Sequence, residues 1–145
     1  MSTEQASNTS ETDYASRLIS AGLRPTRQRL MICEWMFGGE DKHFTAEDLY
    51  SELKSESGQP ALSLATIYNT LKGFTEAGLL SKLSVDSGKL YYDTNTSHHY
   101  HLYEDEHCQL SDVKAQDIKI LGLPDIKAGY EIDRIDVIIR TKPKA

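Results

Sequence analysis

The sequence is poor in residues that cross-link a chain or anchor it in a membrane. It has 145 residues and only two cysteines, Cys33 and Cys108, which lie far apart without a Cys-x-x-Cys partner. A disulfide scaffold and an all-cysteine zinc site are therefore excluded, and we expect both thiols to be reduced. No segment approaches the ~18 apolar residues of a transmembrane helix, and residues 1–13 lack the apolar run of a secretory signal. We expect a cytoplasmic protein without membrane contact.

Basic charge is also scarce, with 16 Lys and Arg against 22 Asp and Glu and a formal net charge of −6. This deficit argues against general nucleic-acid binding, which usually shows as a basic excess. The distribution matters more than the total. Residues 17–29 contain no Asp or Glu but carry four arginines: Arg17, Arg24, Arg27 and Arg29. This local excess keeps DNA binding open.

Signatures of catalysis are missing as well. The chain has no nucleophile elbow, no Gly-rich phosphate loop and no His-Glu-x-x-His helix, so we expect that it is not an enzyme. Cys33 lies on an apolar helical face, which favours a core position over a nucleophile. Cys108 follows His107, and it stays open as a thiol ligand.

Residues 1–13 have few apolar side chains, which predicts disorder. After them, three helix starts can be recognised in the first half of the chain. Thr26 caps a helix that ends before Gly38-Gly39. Thr45, with Asp48 three residues later, is a capping-box variant that begins the next helix. Ser63 caps a third helix, whose predicted buried face repeats at i, i+3, i+7 and i+10: Leu64, Ile67, Leu71 and Phe74.

Two strands follow these helices, over 79–85 and 89–93, and Asp86-Ser87-Gly88 joins them as a hairpin turn. Three helices and a two-stranded wing in this order predict a winged helix-turn-helix domain over residues 14–93. Its second helix of the pair, from Ser63, would then enter the major groove. The alternative is a small helical domain whose polar face has no such role.

The rest of the chain, after a hinge at 94–97, predicts a small α/β domain over 98–145. Strands are expected over 98–103, 107–113 and 130–140, the last with a bulge near Asp133 or Arg134, and a short helix over 115–121. A unit of about 48 residues lies near the limit of independent stability. We therefore expect it to be stabilised by a second copy, and the whole chain to be α+β.

Histidines 98, 99 and 101 form the least ordinary cluster of the sequence. Side chains two apart on a strand share a face, so His99 and His101 can bind one ion while His98 points away. Imidazole is a common ligand of zinc, iron and manganese. Further donors are available at Asp93, Asp112 and His43. An ion bound by His43 and by His99 with His101 would fix the angle between the domains. The alternative is a solvated surface cluster.

Four separated motifs resemble the ferric uptake regulator (Fur) family over about residues 14–145. They are Ala21-Gly22-Leu23-Arg24-Pro25-Thr26-Arg27-Gln28-Arg29, Thr45-Ala46-Glu47-Asp48-Leu49-Tyr50, Ser63-Leu64-Ala65-Thr66-Ile67-Tyr68-Asn69-Thr70-Leu71 and His98-His99-Tyr100-His101. Four shorter stretches look most like its iron response regulator (Irr) branch: Val85-Asp86, Tyr92-Asp93-Thr94-Asn95, the histidine cluster and Gly129-Tyr130-Glu131-Ile132.

The resemblance implies a homodimeric transcription factor that binds double-stranded operator DNA. The position matching Arg24 would reach the minor groove. Major-groove contacts would come from Ser63, Thr66, Tyr68 and Asn69, consistent with Tyr68 packing on thymine methyls and Asn69 bonding a base edge or phosphate. The regulatory-metal ligands would be His43, Asp93, His99, His101 and Asp112. Asp93 is shorter than the Glu of many members.

Two departures limit the resemblance. The Cys-x-x-Cys pair of most members reads Glu104 and His107 here, so a four-cysteine structural zinc site is excluded. A second family site expects a carboxylate where this chain has Tyr100. We therefore expect one divalent ion per subunit, either iron, manganese or zinc.

The Irr resemblance further implies haem sensing through the His98, His99 and His101 region. The Cys-Pro haem motif of some branch members is missing, since Pro25 follows Arg24. Two alternatives remain for the function. One is a zinc- or manganese-dependent Fur-type repressor or a peroxide sensor, and the other is a small histidine-rich metal carrier or hydrolase.

Overall fold

The computed structural model describes residues 13–56, 62–86 and 88–145. These residues form two compact units, one reaching to Thr96 and the other comprising Ser97–Ala145. The disorder expected for residues 1–13 falls almost entirely outside the described residues. Asp13 differs from that expectation, because it is already part of the first helix.

Four helices make up most of the first unit: α1 over residues 13–20, α2 (Arg27–Phe37), α3 (Ala46–Glu56) and α4 (Leu64–Glu76). The three predicted caps are present. Thr26 Oγ1 accepts from the Arg29 N–H at 3.3 Å, and Ser63 Oγ accepts from the Thr66 N–H at 3.1 Å. At α3, Thr45 Oγ1 accepts from the Asp48 N–H at 3.1 Å while Asp48 Oδ2 accepts from the Thr45 N–H at 2.9 Å. No helix of the described residues has the length and apolarity to span a membrane.

The core of the first unit lies where these helices meet. On α4 the predicted spacing is confirmed at Ile67, Leu71 and Phe74, all 0% exposed, whereas Leu64 in the first turn is half-buried. The core also contains Leu18, Ile32, Cys33, Met36, Phe44, Ala46, Leu49, Leu53, Leu80 and Tyr92. Because α4 buries this stripe, its opposite face is left to solvent.

A three-stranded antiparallel sheet completes the first unit, with β1 (His43–Phe44), β2 (Ser81–Asp86) and β3 (Lys89–Asp93) in the order β1-β3-β2. The β2–β3 hairpin was predicted. β1 was not, because a strand of two residues carries no periodicity. In the ladder His43 pairs with Asp93 and Phe44 with Tyr92.

The second unit is built on β4 (His99–Glu104), which lies between β5 (Gln109–Lys114) and β6 (Ile138–Thr141). β5 is antiparallel to β4, and β6 is parallel to it.

Two expectations for the second unit are wrong. The predicted helix over 115–121 is a single 3₁₀ turn, Ala115–Asp117, and the predicted strand over 130–140 is regular only from Ile138. Consequently there is no strand bulge near Asp133 or Arg134. Alternating side chains favour a strand only when a neighbouring strand supplies a ladder, and Tyr130 and Ile132 instead remain 67% and 42% exposed.

Candidate metal centre and DNA-contact face

Three side chains of the second unit bring their ligand atoms together on β4 and β5. His99 Nε2 lies 3.0 Å from His101 Nε2 and 3.2 Å from Asp112 Oδ1, and His101 Nε2 lies 3.8 Å from the same oxygen. The cause is the pleat: His99 and His101 are two apart on β4, and Asp112 is the ladder partner of His101 on β5. The predicted shared face of the two histidines is thus present.

These separations fit a bound divalent ion. Ligands held about 2.0–2.2 Å from a tetrahedral ion lie about 3.3–3.6 Å from one another. Two imidazole Nε2 atoms at 3.0 Å also need a proton or a cation between them, because their lone pairs repel. The imidazoles of His99 and His101 are only 9% and 10% exposed, whereas the Asp112 side chain is 39% exposed. The cluster is therefore shielded on its imidazole side and open at the carboxylate.

A main-chain carbonyl group orients the imidazole ring of His99. Its Nδ1 lies 2.7 Å from the carbonyl oxygen of Ser97, a contact that is favourable when Nδ1 carries the proton. Nε2 then carries a lone pair, which can bind a cation together with His101 and Asp112. Metal-binding histidines are commonly held this way, with the second ring nitrogen donating to a carbonyl.

The first unit contains two further candidate ligands, His43 on β1 and Asp93 on β3. His43 Nε2 lies 3.2 Å from Asp93 Oδ2, and Asp93 Oδ1 accepts from the Asn95 N–H at 2.9 Å. Asp93 is 2% exposed, so its charge is buried against these partners. A carboxylate and an imidazole in contact form a partial site with two donors.

His98 is placed differently from His99 and His101. It precedes β4, is exposed, and packs edge-on against Tyr100, with ring centroids 5.2 Å apart. Among the described residues it belongs to neither group of converging ligand types. His98 thus lies outside the pair formed by His99 and His101, as predicted.

A second ligand group, Glu104, Glu106 and His107, lies at the β4–β5 turn, where the resemblance predicted loss of the cysteine zinc site. His107 Nδ1 is 2.6 Å from Glu104 Oε1, and Glu106 and His107 are exposed. Cys108 is exposed and is not part of this group.

Cys33 is 1% exposed in the core of the first unit, as predicted. Burial raises the pKa of its thiol to about 11, against an opposing effect of Arg17. A thiol with this pKa is almost fully protonated at neutral pH and is a poor nucleophile.

The polar face of α4 carries the predicted DNA-contact residues. Tyr68 and Asn69 are exposed and lie beside the buried Ile67. The hydroxyls of Ser63 and Thr66 lie 2.8 Å apart within the cap, so both side chains also hold the start of the helix. All four predicted positions lie on the first two turns of α4 or its cap.

Tyr68 has a partner that the sequence did not reveal. Its hydroxyl donates to Glu47 Oε1 on α3 at 2.5 Å. This hydrogen bond, followed by burial and the charge of Glu47, raises the pKa of Tyr68 to about 12. Glu47 was predicted only as part of the motif around the α3 cap, and no sequence periodicity relates it to a residue 21 positions away.

Arg24 lies in the segment between α1 and α2, and its side chain is exposed. Gly22, at φ +81°, ends α1, and the Leu23 N–H donates to the Leu18 carbonyl. Arg29 Nη1 donates to the Arg24 carbonyl oxygen at 2.8 Å. The backbone at Arg24 is thus held in place while its guanidinium group faces solvent.

Comparisons with known proteins indicate the same family as the sequence motifs. A family model described as "Ferric uptake regulator family" matches residues 20–140. The ferric uptake regulation protein of Cupriavidus metallidurans is 41% identical over 86 residues, 59% of each chain. That of Campylobacter upsaliensis is 37% identical over 86 residues, 59% of this chain and 54% of the relative. The aligned region thus spans less than two thirds of these relatives.

Solved structures extend the likeness over both units. The ferric uptake regulator of Vibrio cholerae superposes with a TM-score of 0.68 at 24% identity and covers 88% of this chain and 98% of its own. That of Pseudomonas aeruginosa with manganese gives 0.67 at 22% identity, covering 91% and 98%. These identities show a shared fold.

Proposed function

Because this chain belongs to the ferric uptake regulator family, we propose that it is a homodimeric, metal-responsive transcription regulator that binds operator DNA in the cytoplasm. The observation that carries the proposal is the convergence of His99, His101 and Asp112 in a chain whose other unit exposes the polar face of α4. The converging ligand atoms supply a sensor, and α4 supplies a reading surface. The relatives are likewise described as regulation proteins and not as enzymes.

The donor set suits a divalent first-row ion. Two imidazole nitrogens and a carboxylate oxygen match the preferences of iron, manganese and zinc, and they do not favour the all-oxygen coordination of calcium or magnesium. Similar folds are described with manganese in Pseudomonas aeruginosa, with iron in Francisella tularensis and as a zinc-bound manganese uptake regulator. We propose one such ion per subunit.

His43 and Asp93 are proposed as further ligands of that ion, on the strength of the family resemblance. Each cluster is incomplete by itself, since a structural or regulatory divalent ion takes four or more ligands. The stoichiometry tests this assignment. One ion whose affinity falls in both His43→Ala and His99→Ala supports a shared site, whereas two independently lost ions contradict it.

We also propose that the protein senses haem and belongs to the Irr branch of the family. What supports it is the exposed imidazole of His98 beside the His99 and His101 pair, because an axial ligand must be accessible to a large planar ring. A Soret band on adding haem that is lost in His98→Ala would support this assignment. Unchanged haem absorbance in the triple alanine variant of residues 98, 99 and 101 would contradict it.

DNA binding is proposed through both grooves. Ser63, Thr66, Tyr68 and Asn69 would meet base edges and phosphates of the major groove, and Arg24 would reach into the minor groove. Self-association is supported by a group of exposed large apolar side chains in the second unit: Leu121, Leu123, Ile126, Tyr130, Ile132 and Ile139. Large apolar side chains left exposed in this number are a surface that a second copy of the chain would cover.

Operator binding under defined effector conditions tests the proposal. Duplexes are selected from a random pool by the purified protein, and their affinity is measured after chelation, with manganese, with zinc and with haem. We expect selection of a two-fold symmetric sequence and an affinity that depends on the effector. Failure to select any sequence, or equal affinity in all states, would contradict the proposal. Metal-dependent turnover would favour the hydrolase alternative.

A further inference from the structure

Glu47 and Tyr68 form a polar contact on the exposed surface of the first unit. Glu47 lies in the first turn of α3 and Tyr68 in the second turn of α4, and the phenol donates to the carboxylate at 2.5 Å. The contact therefore joins the two helices of the predicted helix-turn-helix. One of its two residues, Tyr68, is proposed above to contact bases.

The capping of α3 does not require Glu47. The reciprocal hydrogen bonds between Thr45 and Asp48 already satisfy the start of that helix. Glu47 is exposed and lies outside the apolar core. An acidic residue in a first turn adds a favourable charge–dipole interaction, but Asp48 supplies the same. The side chain of Glu47 is thus directed at Tyr68 for reasons that helix formation does not explain.

The carboxylate places negative charge beside the proposed reading surface. It contributes to the raised pKa values of two phenols: that of Tyr68, where its hydrogen bond is the largest cause, and that of Tyr92, where burial comes first. A groove next to it is lined by eight residues: Tyr68, Asn69, Lys72, Thr75, Glu76, Lys82, Leu90 and Tyr92. DNA phosphates approaching this surface would meet two lysines and two carboxylates. Glu76 lies 4.0 Å from the ammonium group of Lys72, whereas Glu47 accepts from Tyr68.

We propose that Glu47 is a positioning residue that fixes the Tyr68 ring for base contact and, through its charge, disfavours duplexes that make no such contact. This inference rests on the proposed function. Because the phenolic proton is committed to Glu47, Tyr68 would read bases through its ring, as against a thymine methyl, and not by donating a hydrogen bond. Glu47 would then contribute to specificity and not to overall affinity.

Three substitutions separate the positioning of the Tyr68 ring from the repulsion that the Glu47 charge exerts on DNA. Glu47→Gln keeps an acceptor for the phenol and removes the charge, so binding to unselected DNA should tighten about threefold to tenfold through reduced repulsion of phosphates. Tyr68→Phe keeps the ring and the charge but removes the hydrogen bond. Selected DNA should then bind about 10-fold more weakly, because the ring is no longer held in place by a hydrogen bond to a charged group. Glu47→Ala should show both changes.

The experiment measures affinity for a selected duplex and for a random duplex of equal length at two salt concentrations. The expected result is a fall in the ratio of selected to random affinity of about threefold to tenfold for Glu47→Gln and about 10-fold for Tyr68→Phe, and a larger fall for Glu47→Ala, which loses both the charge and the hydrogen bond. Glu34→Gln is the matched control, because it removes an exposed acidic charge from α2 in the same unit. Far-UV circular dichroism and thermal unfolding verify folding.

The outcomes are distinct. Unchanged ratios in folded Glu47 and Tyr68 variants, with a wild-type protein that selects DNA, overturn this inference and leave the proposed function intact. A wild-type protein that selects no duplex overturns both. A fall in the ratio of the same size in Glu34→Gln also overturns the inference, because the effect would then be one of net charge.

Discussion

His43 Nε2 lies 3.2 Å from Asp93 Oδ2 across the pair of strands β1 and β3. The carboxylate is 2% exposed, and its other oxygen is held by the Asn95 N–H. A buried charge is costly unless it is paired and hydrogen-bonded. The imidazole therefore stabilises the sheet of the first unit as well as offering a candidate ligand.

The first prediction concerns this pair in the metal-free protein. His43→Ala should lower the free energy of unfolding by about 2 kcal/mol, because hydrogen bonds to charged groups contribute about 1.5–3 kcal/mol. Asp93→Asn in the His43→Ala background should recover part of the loss, since it removes the uncompensated charge. Urea unfolding in chelator measures both. Equal stability of His43→Ala and the wild type would contradict the interpretation of the contact.

The second prediction concerns the converging donors of the second unit. His99→Ala, His101→Ala and Asp112→Ala should each weaken zinc or manganese binding by more than the ~10- to 100-fold that loss of a ligand-orienting group costs. Isothermal titration calorimetry measures the affinity. His98→Ala is the matched control, because it removes a neighbouring imidazole that lies outside the cluster. Comparable losses in His98→Ala and His99→Ala would contradict the assignment.

The third prediction concerns the two thiols. In the folded protein a thiol reagent should modify the exposed Cys108 rapidly and Cys33 slowly, because burial raises the pKa of Cys33 to about 11. One equivalent should react in the native state and two after unfolding. Mass spectrometry of the labelled protein and of Cys108→Ser provides the measurement. Rapid native labelling of Cys108→Ser would show that Cys33 is accessible.

The fourth prediction concerns alkaline pH. Because the pKa of Tyr68 is raised to about 12 from its ordinary value of 10.0, the folded state binds the phenolic proton more tightly than the unfolded state. The resulting stabilisation is complete below pH 10 and is lost as the pH rises through 12. Ultraviolet titration of phenolate should show a tyrosine that ionises earlier in Glu47→Ala, which removes the acceptor of the hydrogen bond. Superimposable titrations of wild type and variant would count against the hydrogen bond.

The fifth prediction concerns the capping box of α3. Thr45→Ala removes the acceptor for the Asp48 N–H and should lower the free energy of unfolding by about 1 kcal/mol, the usual cost of losing a cap. The exposed Ser84 on β2 provides the control, since Ser84→Ala should change stability by no more than about 0.5 kcal/mol. Thermal unfolding compares the two. Equal effects would mean that the cap contributes nothing specific.

Local rules predicted much of the first unit. Thr26, Thr45 and Ser63 begin their helices as predicted, because a capping side chain and its N–H partner lie three residues apart and need no distant contact. The alternation of His99 and His101 also follows from strand geometry alone. Their shared face, and Asp112 as a further donor, could therefore be proposed without a structure.

Long-range pairing could not be predicted in the same way. β1 exists because β3 offers His43 and Phe44 a ladder, and residues 130–137 form no strand although their side chains partly alternate. The hydrogen bond between Glu47 and Tyr68 likewise depends on how α3 packs against α4. In each case the deciding partner is remote in sequence, so local periodicity carries no information about it.

The sequence by itself determined the helix starts, the buried stripe of α4 and which histidines share a strand face, since these depend on periodicity and on bonds between near neighbours. The tertiary structure alone decided that Asp93 is buried against His43 and that Glu47 holds Tyr68. These contacts depend on strand register, chain bends and helix packing, which arise only when separate segments are brought together.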